Sequence, residues 1–187
     1  MALETSKIEN LICSKHDMIL KRDKKNNIFT LQFHVSNTNI DIRNIVDVGL
    51  YKVFAEINKD IIEKIDFIDE DNDCNNTKVL FLFKRFGSDF GIAQKYMFLE
   101  TKRIDKGTQI ILESKSIPNN FKIKNCEIAT SKFANLYVNL IDKHSANIDY
   151  KFNIDFHEDL PIYMENMVGV LMKKIFLRVK TFIENIG

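Results

Sequence analysis

The stretch that most constrains this chain is residues 146–156. Ala146, Ile148, Tyr150, Phe152, Ile154 and Phe156 alternate there with Asn147, Asp149, Lys151, Asn153 and Asp155. A period of two puts one set on each face of a strand, so the pattern calls for a sheet with one apolar and one polar face. A few residues later the period changes. Asp159-Leu160-Pro161 offers a capping carboxylate and a first-turn proline. Met164, Val168, Leu171, Ile175, Val179, Phe182 and Ile186 then recur at helical spacing to about Asn185, with Glu165, Lys173, Lys174, Arg178, Lys180 and Glu184 mostly off that face. A long helix with an apolar stripe must cover something, and a one-sided sheet supplies it.

The rest of the chain adds strands. Phe29, Leu31, Phe33 and Val35 alternate with polar residues over 28–36, and residues 18–21 are the expected hairpin partner across the polar loop 22–27. A short helix is expected over 6–13, and a second after Asp41, where Ile42, Ile45, Val46, Gly49, Leu50, Val53 and Phe54 keep helical spacing. Further strands are expected at 63–68, 78–84, 96–104, 108–117 and 127–141, with a tight turn at Asp105 to Gly107 making two of them antiparallel neighbours. At 187 residues, with two prolines, six glycines and no linker-like stretch, residues 1–187 read as one domain. The plan is α+β: a curved antiparallel sheet wrapped around a long C-terminal helix.

Charge and motifs remove several functions. The 27 basic and 26 acidic side chains leave a formal net charge of +1, so no global field draws the chain to nucleic acid. No apolar run reaches the ~18–20 residues of a membrane span, and no apolar signal core precedes Asp17, so a soluble, cytoplasmic protein is expected. Three dispersed cysteines, Cys13, Cys74 and Cys126, make neither a disulfide framework nor a zinc signature. Asp69, Asp71 and Asp73 open a calcium-loop spacing, but Cys74 stands where glycine should turn the loop and Leu80 where a bidentate glutamate should close it. His16, His34, His144 and His157 lack metal-ligand spacing, and Gly87 and Gly91 lack the phosphate-loop lysine. No catalytic constellation, metal site or cofactor is expected. Fifteen phenylalanines without one tryptophan give an unusually apolar interior. Periodicity fits equally a filled core and a cavity lined for an apolar ligand.

Local phrases then point to a family. Leu160-Pro161-Ile162-Tyr163-Met164-Glu165-Asn166, following Asp155, is similar to the Leu-Pro-x-Trp-Leu-x-Asn entry into the last helix of the steroidogenic acute regulatory protein-related lipid-transfer (START) domain. Tyr96-Met97-Phe98-Leu99, Lys102-Arg103, Gly107 and the run Glu113 to Pro118 resemble its central hairpin, so that the resemblance spans nearly the whole chain. The family's Trp-Asp pair is absent near Ile61 to Lys64, and Glu100 and Glu127 stand at strand positions where members often carry arginine.

The resemblance implies a helix-grip fold whose cavity holds a lipid, with phospholipid transfer between membranes as its work. The cavity wall is assigned to Met164, Met167, Val168, Leu171 and Ile175, with Tyr150, Phe152, Leu112 and Glu100 from the sheet. The loop over residues 84–95 is the candidate gate. Phe86, Phe90 and Ile92 would enter a membrane surface in transient, peripheral contact, while Lys84, Arg85 and Lys95 meet anionic headgroups. Two alternatives stay open: a cyclase- or hydrolase-type enzyme of the same superfamily, for which Glu100, Glu127, Tyr137 and Tyr150 are the suggestive inward polar groups, and an interaction domain with a filled core.

Overall fold

The computed structural model describes residues 9–70, 75–86, 91–120, 122–158 and 160–187. The first hairpin joins β1 (Glu9–Lys15) to β2 (Met18–Asp23), and β2 turns into β3 (Ile28–Ser36). Two short helices follow, α1 (Ile42–Ile45) and α2 (Leu50–Ile57). A meander of β4 (Ile62–Glu70), β5 (Asn76–Phe83), β6 (Gln94–Asp105) and β7 (Gln109–Ser116) leads to β8 (Cys126–Ile128), β9 (Ala134–Leu140) and β10 (Ser145–Phe152). The chain ends in α3 (Ile162–Asn185). The strands form one sheet in the order β1-β2-β3-β10-β9-β7-β6-β5-β4, antiparallel throughout, with β8 lying parallel to β6 off that path.

The alternation of residues 146–156 does its expected work. β10 pairs with β3 on one side and β9 on the other, and Ala146, Ile148 and Phe152 are buried on the concave face. Phe29 and Phe152 are register partners whose rings stack at 5.1 Å. The strand stops at Phe152 because Asn153 turns its side chain across the sheet, its Oδ1 accepting from the Lys132 and Phe133 amides at 2.9 and 3.2 Å. Pairing resumes for one bridge only, between Asp155 and Thr130.

Four expectations change. Residues 9–13 belong to strand β1, where Cys13 pairs with Leu20 of β2; residues 6–8 lie outside the described part. The stretch 127–141 is two strands, because Ser131 donates its hydroxyl to the Phe133 carbonyl and bends the chain between them. The helix after Asp41 breaks in two. Asp41 does cap it, accepting from the Arg43 amide at 3.0 Å, but the Val46 carbonyl is taken by the Arg103 side chain at 2.8 Å instead of by a helical amide. Finally, α3 starts at Ile162 with Pro161 before it, and the capping reading of Asp159 falls outside the described residues.

The buried arc of α3 is also turned from the expected stripe. Met164, Val168, Ile175 and Val179 are buried as expected, but Gly169, Lys173, Phe176 and Ile183 join them, while Phe182 is 37% exposed. The helix packs on β2, β3 and α2, so its contact face is swung toward that end of the sheet. Lys173, expected on the polar side, runs its aliphatic stem beneath the first hairpin and donates to the Lys15 carbonyl at 2.8 Å. Gly169 permits the close approach. A Cβ there would sit 2.7 Å from the Phe29 ring.

Candidate ligand site between the sheet and the final helix

Because α3 leans toward β2 and β3, the concavity under β5 and β6 is not filled by it. Two small chambers lie there. The outer one, about 70 Å³, is walled by Phe83, Met97, Ile154, Phe156, Val168, Leu171, Met172 and Ile175 and opens past Asp60, Lys84, Arg85 and Phe86. The inner one, about 50 Å³, is walled by Tyr51, Phe54, Phe81, Phe83, Met97, Leu99, Tyr150, Ile154, Met172 and Ile175, with Ser114 and Ser131. Phe83, Met97, Ile154, Met172 and Ile175 line both. The two chambers are therefore one path pinched by shared side chains, two of which are flexible methionines.

The mouth carries charge and, among the described residues, the interior does not. Lys84 and Arg85 are exposed beside the opening. Opposite them Asp60 is held by Lys174 at 2.8 Å and by Arg178, whose hydrogen bonds keep its carboxyl far below the usual range. Inside, the Tyr51 hydroxyl lies 3.0 Å from Thr101 and 2.9 Å from Ser114, which are themselves 2.8 Å apart. Thr101 and Ser114 are cross-strand partners on β6 and β7, and Tyr51 reaches them from α2. Burial pushes the Tyr51 phenol up, against the opposing effect of those two hydrogen bonds. It also pushes the Tyr150 phenol up strongly, with a smaller contribution from neighbouring Tyr51.

Of the nine wall residues read from the sequence, four lie here. Val168, Leu171, Ile175 and Tyr150 line the chambers, and Met164, Phe152 and Leu112 are buried in the surrounding core. Met167 does neither. It is 47% exposed on the outer side of α3. Glu100 sits on the convex face, 3.7 Å from Lys115, because its parity on β6 is opposite to that of the inward Met97 and Leu99. Glu127 is exposed and the Tyr137 hydroxyl accepts from Asn135 on the outer side, so of the four polar groups suggested for an enzyme only Tyr150 faces inward.

The gate residues divide likewise. Phe86 packs edge-on against Phe156 at 5.7 Å and forms part of the mouth. Ile92 is 3% exposed and belongs to the interior, and Phe90 lies outside the described residues. Lys95 is not a loop residue available to headgroups. It lies in β6 with a side chain 0% exposed, its Nζ donating to Glu127 at 2.8 Å, to Glu158, and to the Phe156 carbonyl at 3.3 Å. Burial works against its charge, but the two carboxylates outweigh that and raise its pKa. The calcium-like loop cannot be placed, since residues 71–74 are outside the described part; among the described residues no His, Cys, Asp and Glu cluster could hold a metal.

A contact the motif reading did not foresee fixes the entry of α3. Arg22, buried on β2, donates to Asn166 at 3.1 Å, Glu165 at 2.9 Å and Asn27 at 2.8 Å, and stacks over Phe29. The Asn of the Leu-Pro motif is thus one half of a latch between the helix and the β2–β3 hairpin.

Neither a family model nor a curated protein sequence matches this chain. Solved structures do. The human StarD13 (DLC2) lipid transfer and protein localization domain superposes with a TM-score of 0.76 at 10% identity, over 96% of this chain and 91% of that one. Human STARD10 gives 0.72 at 13% identity, over 92% and 73%. A STAR-related lipid transfer protein from Xanthomonas axonopodis gives 0.63 at 8%, over 94% and 98%. The architecture defined by the ten-stranded sheet and gripped helix is that of a START domain. The helix-grip reading of the sequence is therefore the observed fold.

Proposed function

We propose that residues 1–187 act as one lipid-binding domain that carries a lipid between membranes. The observation that supports this best is the pinched apolar path under α3, with a cationic mouth at Lys84 and Arg85 and an uncharged interior. The solved structures of this fold that carry "lipid transfer" in their names supply the class. Each methylene moved from water into such a wall contributes about 0.8 kcal/mol, so one acyl chain gives ample driving force. Ligand pockets usually hold about 300–1,000 Å³. Uptake therefore requires Met97, Met172 and Phe83 to swing aside, and the wall to widen between α3 and β5–β6. A phospholipid in this path would keep its phosphate at the mouth, beside Lys84 and Arg85. The same two cations, with Phe86, form the membrane-docking edge, in transient contact from the cytoplasmic side.

The test is extraction and transfer. Lipid should co-purify with the native protein and be identified by mass spectrometry, and the protein should move labelled lipid from donor to acceptor vesicles. A bound, chemically altered small molecule would favour the enzyme class instead. Neither bound lipid nor transfer would leave a ligand-free interaction domain.

A further inference from the structure

Among the described residues three cations are buried: Arg22, Lys95 and Lys173. Two of them have a counter-charge, Glu165 for Arg22 and Glu127 with Glu158 for Lys95. Lys173 has none. Only 6% exposed, it donates to the Lys15 carbonyl at 2.8 Å and to the Cys13 sulfur at 3.1 Å, and no described carboxylate lies within ion-pair distance of it. An ammonium held out of water without an anion is costly. Among the described residues, the one group in contact with this ammonium that can become an anion is the Cys13 thiol. Cys13 therefore does not stand alone; it is half of a sulfur–amine pair built from residues 160 positions apart. The pair is also within reach of solvent. Cys13 is half-buried on β1, the outermost strand at its end of the sheet, so a small solute can come to the sulfur while the lysine stem stays packed beneath the hairpin.

We propose that Cys13 and Lys173 form a modification site at which a hydroperoxide drives closure of a covalent sulfur–nitrogen bridge between β1 and α3. The sulfur attacks as the thiolate, the form that reacts, with its counter-ion already in contact. The S–O bond forms as the O–O bond breaks, and the released hydroxide takes a proton from the Lys173 ammonium and leaves as water. That step makes both partners of the next one, a sulfenic acid on Cys13 and a neutral amine on Lys173. The amine nitrogen then attacks the sulfur, the S–O bond breaks, and the departing hydroxide carries off an amine proton as a second water. Sulfenic acids condense with nitrogen in this way. The sulfur has given two electrons to the peroxide, and the protein has lost two hydrogens. Cys126, also half-buried, has the opposite setting, since burial and the charge of Glu63 push its thiol up. The bridge does not depend on whether the path under α3 carries a lipid.

The experiment uses the whole chain with Cys74→Ser and Cys126→Ser, which leaves Cys13 as the only thiol. It is treated with hydrogen peroxide, blocked with N-ethylmaleimide, digested and mapped by mass spectrometry. The folded protein is expected to lose two hydrogens and to yield a peptide pair joining Cys13 to Lys173, which dithiothreitol separates. The bridged form should melt above the reduced form, because the link closes a loop of nearly the whole chain. In urea, and in folded Lys173→Met, Cys13 should instead carry a sulfenic acid that dimedone traps. In the wild-type protein Cys13 should lose its free thiol to peroxide before Cys126 does. Sulfenic or sulfinic acid on Cys13 of the folded chain with Lys173 unmodified would overturn the proposal, as would oxidation of Cys126 first. So would a two-hydrogen loss that persists in Lys173→Met. Should Lys173→Met fail to fold, the peptide maps of the folded and urea-unfolded chain decide between the same outcomes.

Discussion

Gly169 sets how near the final helix can come to the sheet. With a Cβ placed 2.7 Å from two atoms of the Phe29 ring, Gly169→Ala must displace a ring stacked on Phe152. Overpacking of this kind costs about 1–3 kcal/mol, more than the ~1 kcal/mol that alanine gains over glycine in a helix. The variant should therefore melt at a lower temperature than the wild type, and a higher melting temperature would place Phe29 elsewhere. Lys95 offers a different asymmetry. Removing the lysine as Lys95→Met leaves Glu127 and Glu158 free to take up water at the surface, whereas the double change of both glutamates to alanine leaves a buried ammonium with no counter-charge and only the Phe156 carbonyl to accept from it. Urea titration should find the double variant clearly the less stable of the two. Sequence reasoning placed Lys95 in the loop because a charged residue two positions before Met97 reads as the end of a loop, while the carboxylates that pair with it come from β8 and from Glu158, 32 and 63 residues away.

The final helix is both wall and cover. Leu171 lines the outer chamber at the edge of the buried arc, so Leu171→Trp should fill that space at little cost in melting temperature while abolishing lipid uptake. A large fall in stability with normal uptake would mean that Leu171 packs in a filled core. At the mouth, Lys84→Ala with Arg85→Ala should slow transfer from anionic vesicles and lose its effect at high salt, the signature of exposed charges meeting headgroups. Identical rates on neutral and anionic vesicles would contradict that role. The sequence made the sheet legible where one face meets water: β3 and β10 carry strict alternation and were read within a few residues. It misread the places where tertiary partners override local pattern. Arg103 breaks the first helix by capturing the Val46 carbonyl, Asn153 ends β10 early, and the lean of α3 toward β2 buries Lys173 and leaves Phe182 and Met167 out. Of the site, the helix side was visible as a stripe. The hydroxyl triangle was not, because Tyr51, Thr101 and Ser114 share no spacing along the chain.

Four carboxyls across the molecule respond to acid in the same direction. Asp60 is held low by hydrogen bonds from Arg178 and Lys174, Asp105 by Arg43, Asp142 by the His144 amide and Glu127 by Lys95. A carboxyl whose folded pKa is depressed adds stability only while ionised, so these contributions are complete above the unfolded value near 4 and are lost as pH falls below it. The melting temperature should be flat through neutral pH and drop below about pH 4, more gently in Asp60→Asn; an unchanged acid limb in that variant would show that its link to α3 carries no stability. The seam between β3 and β10 has a further consequence, in time. Gln32 donates to Asp149, 117 positions further along the chain, and the helix that covers part of the concave face is made after both. Pairings between such distant partners form slowly, since a long loop must close before any contact rewards it. During synthesis the first three strands therefore emerge with their phenylalanine-rich side uncovered and must wait for β10 and α3 to follow, an interval in which that exposed apolar face is open to chaperones.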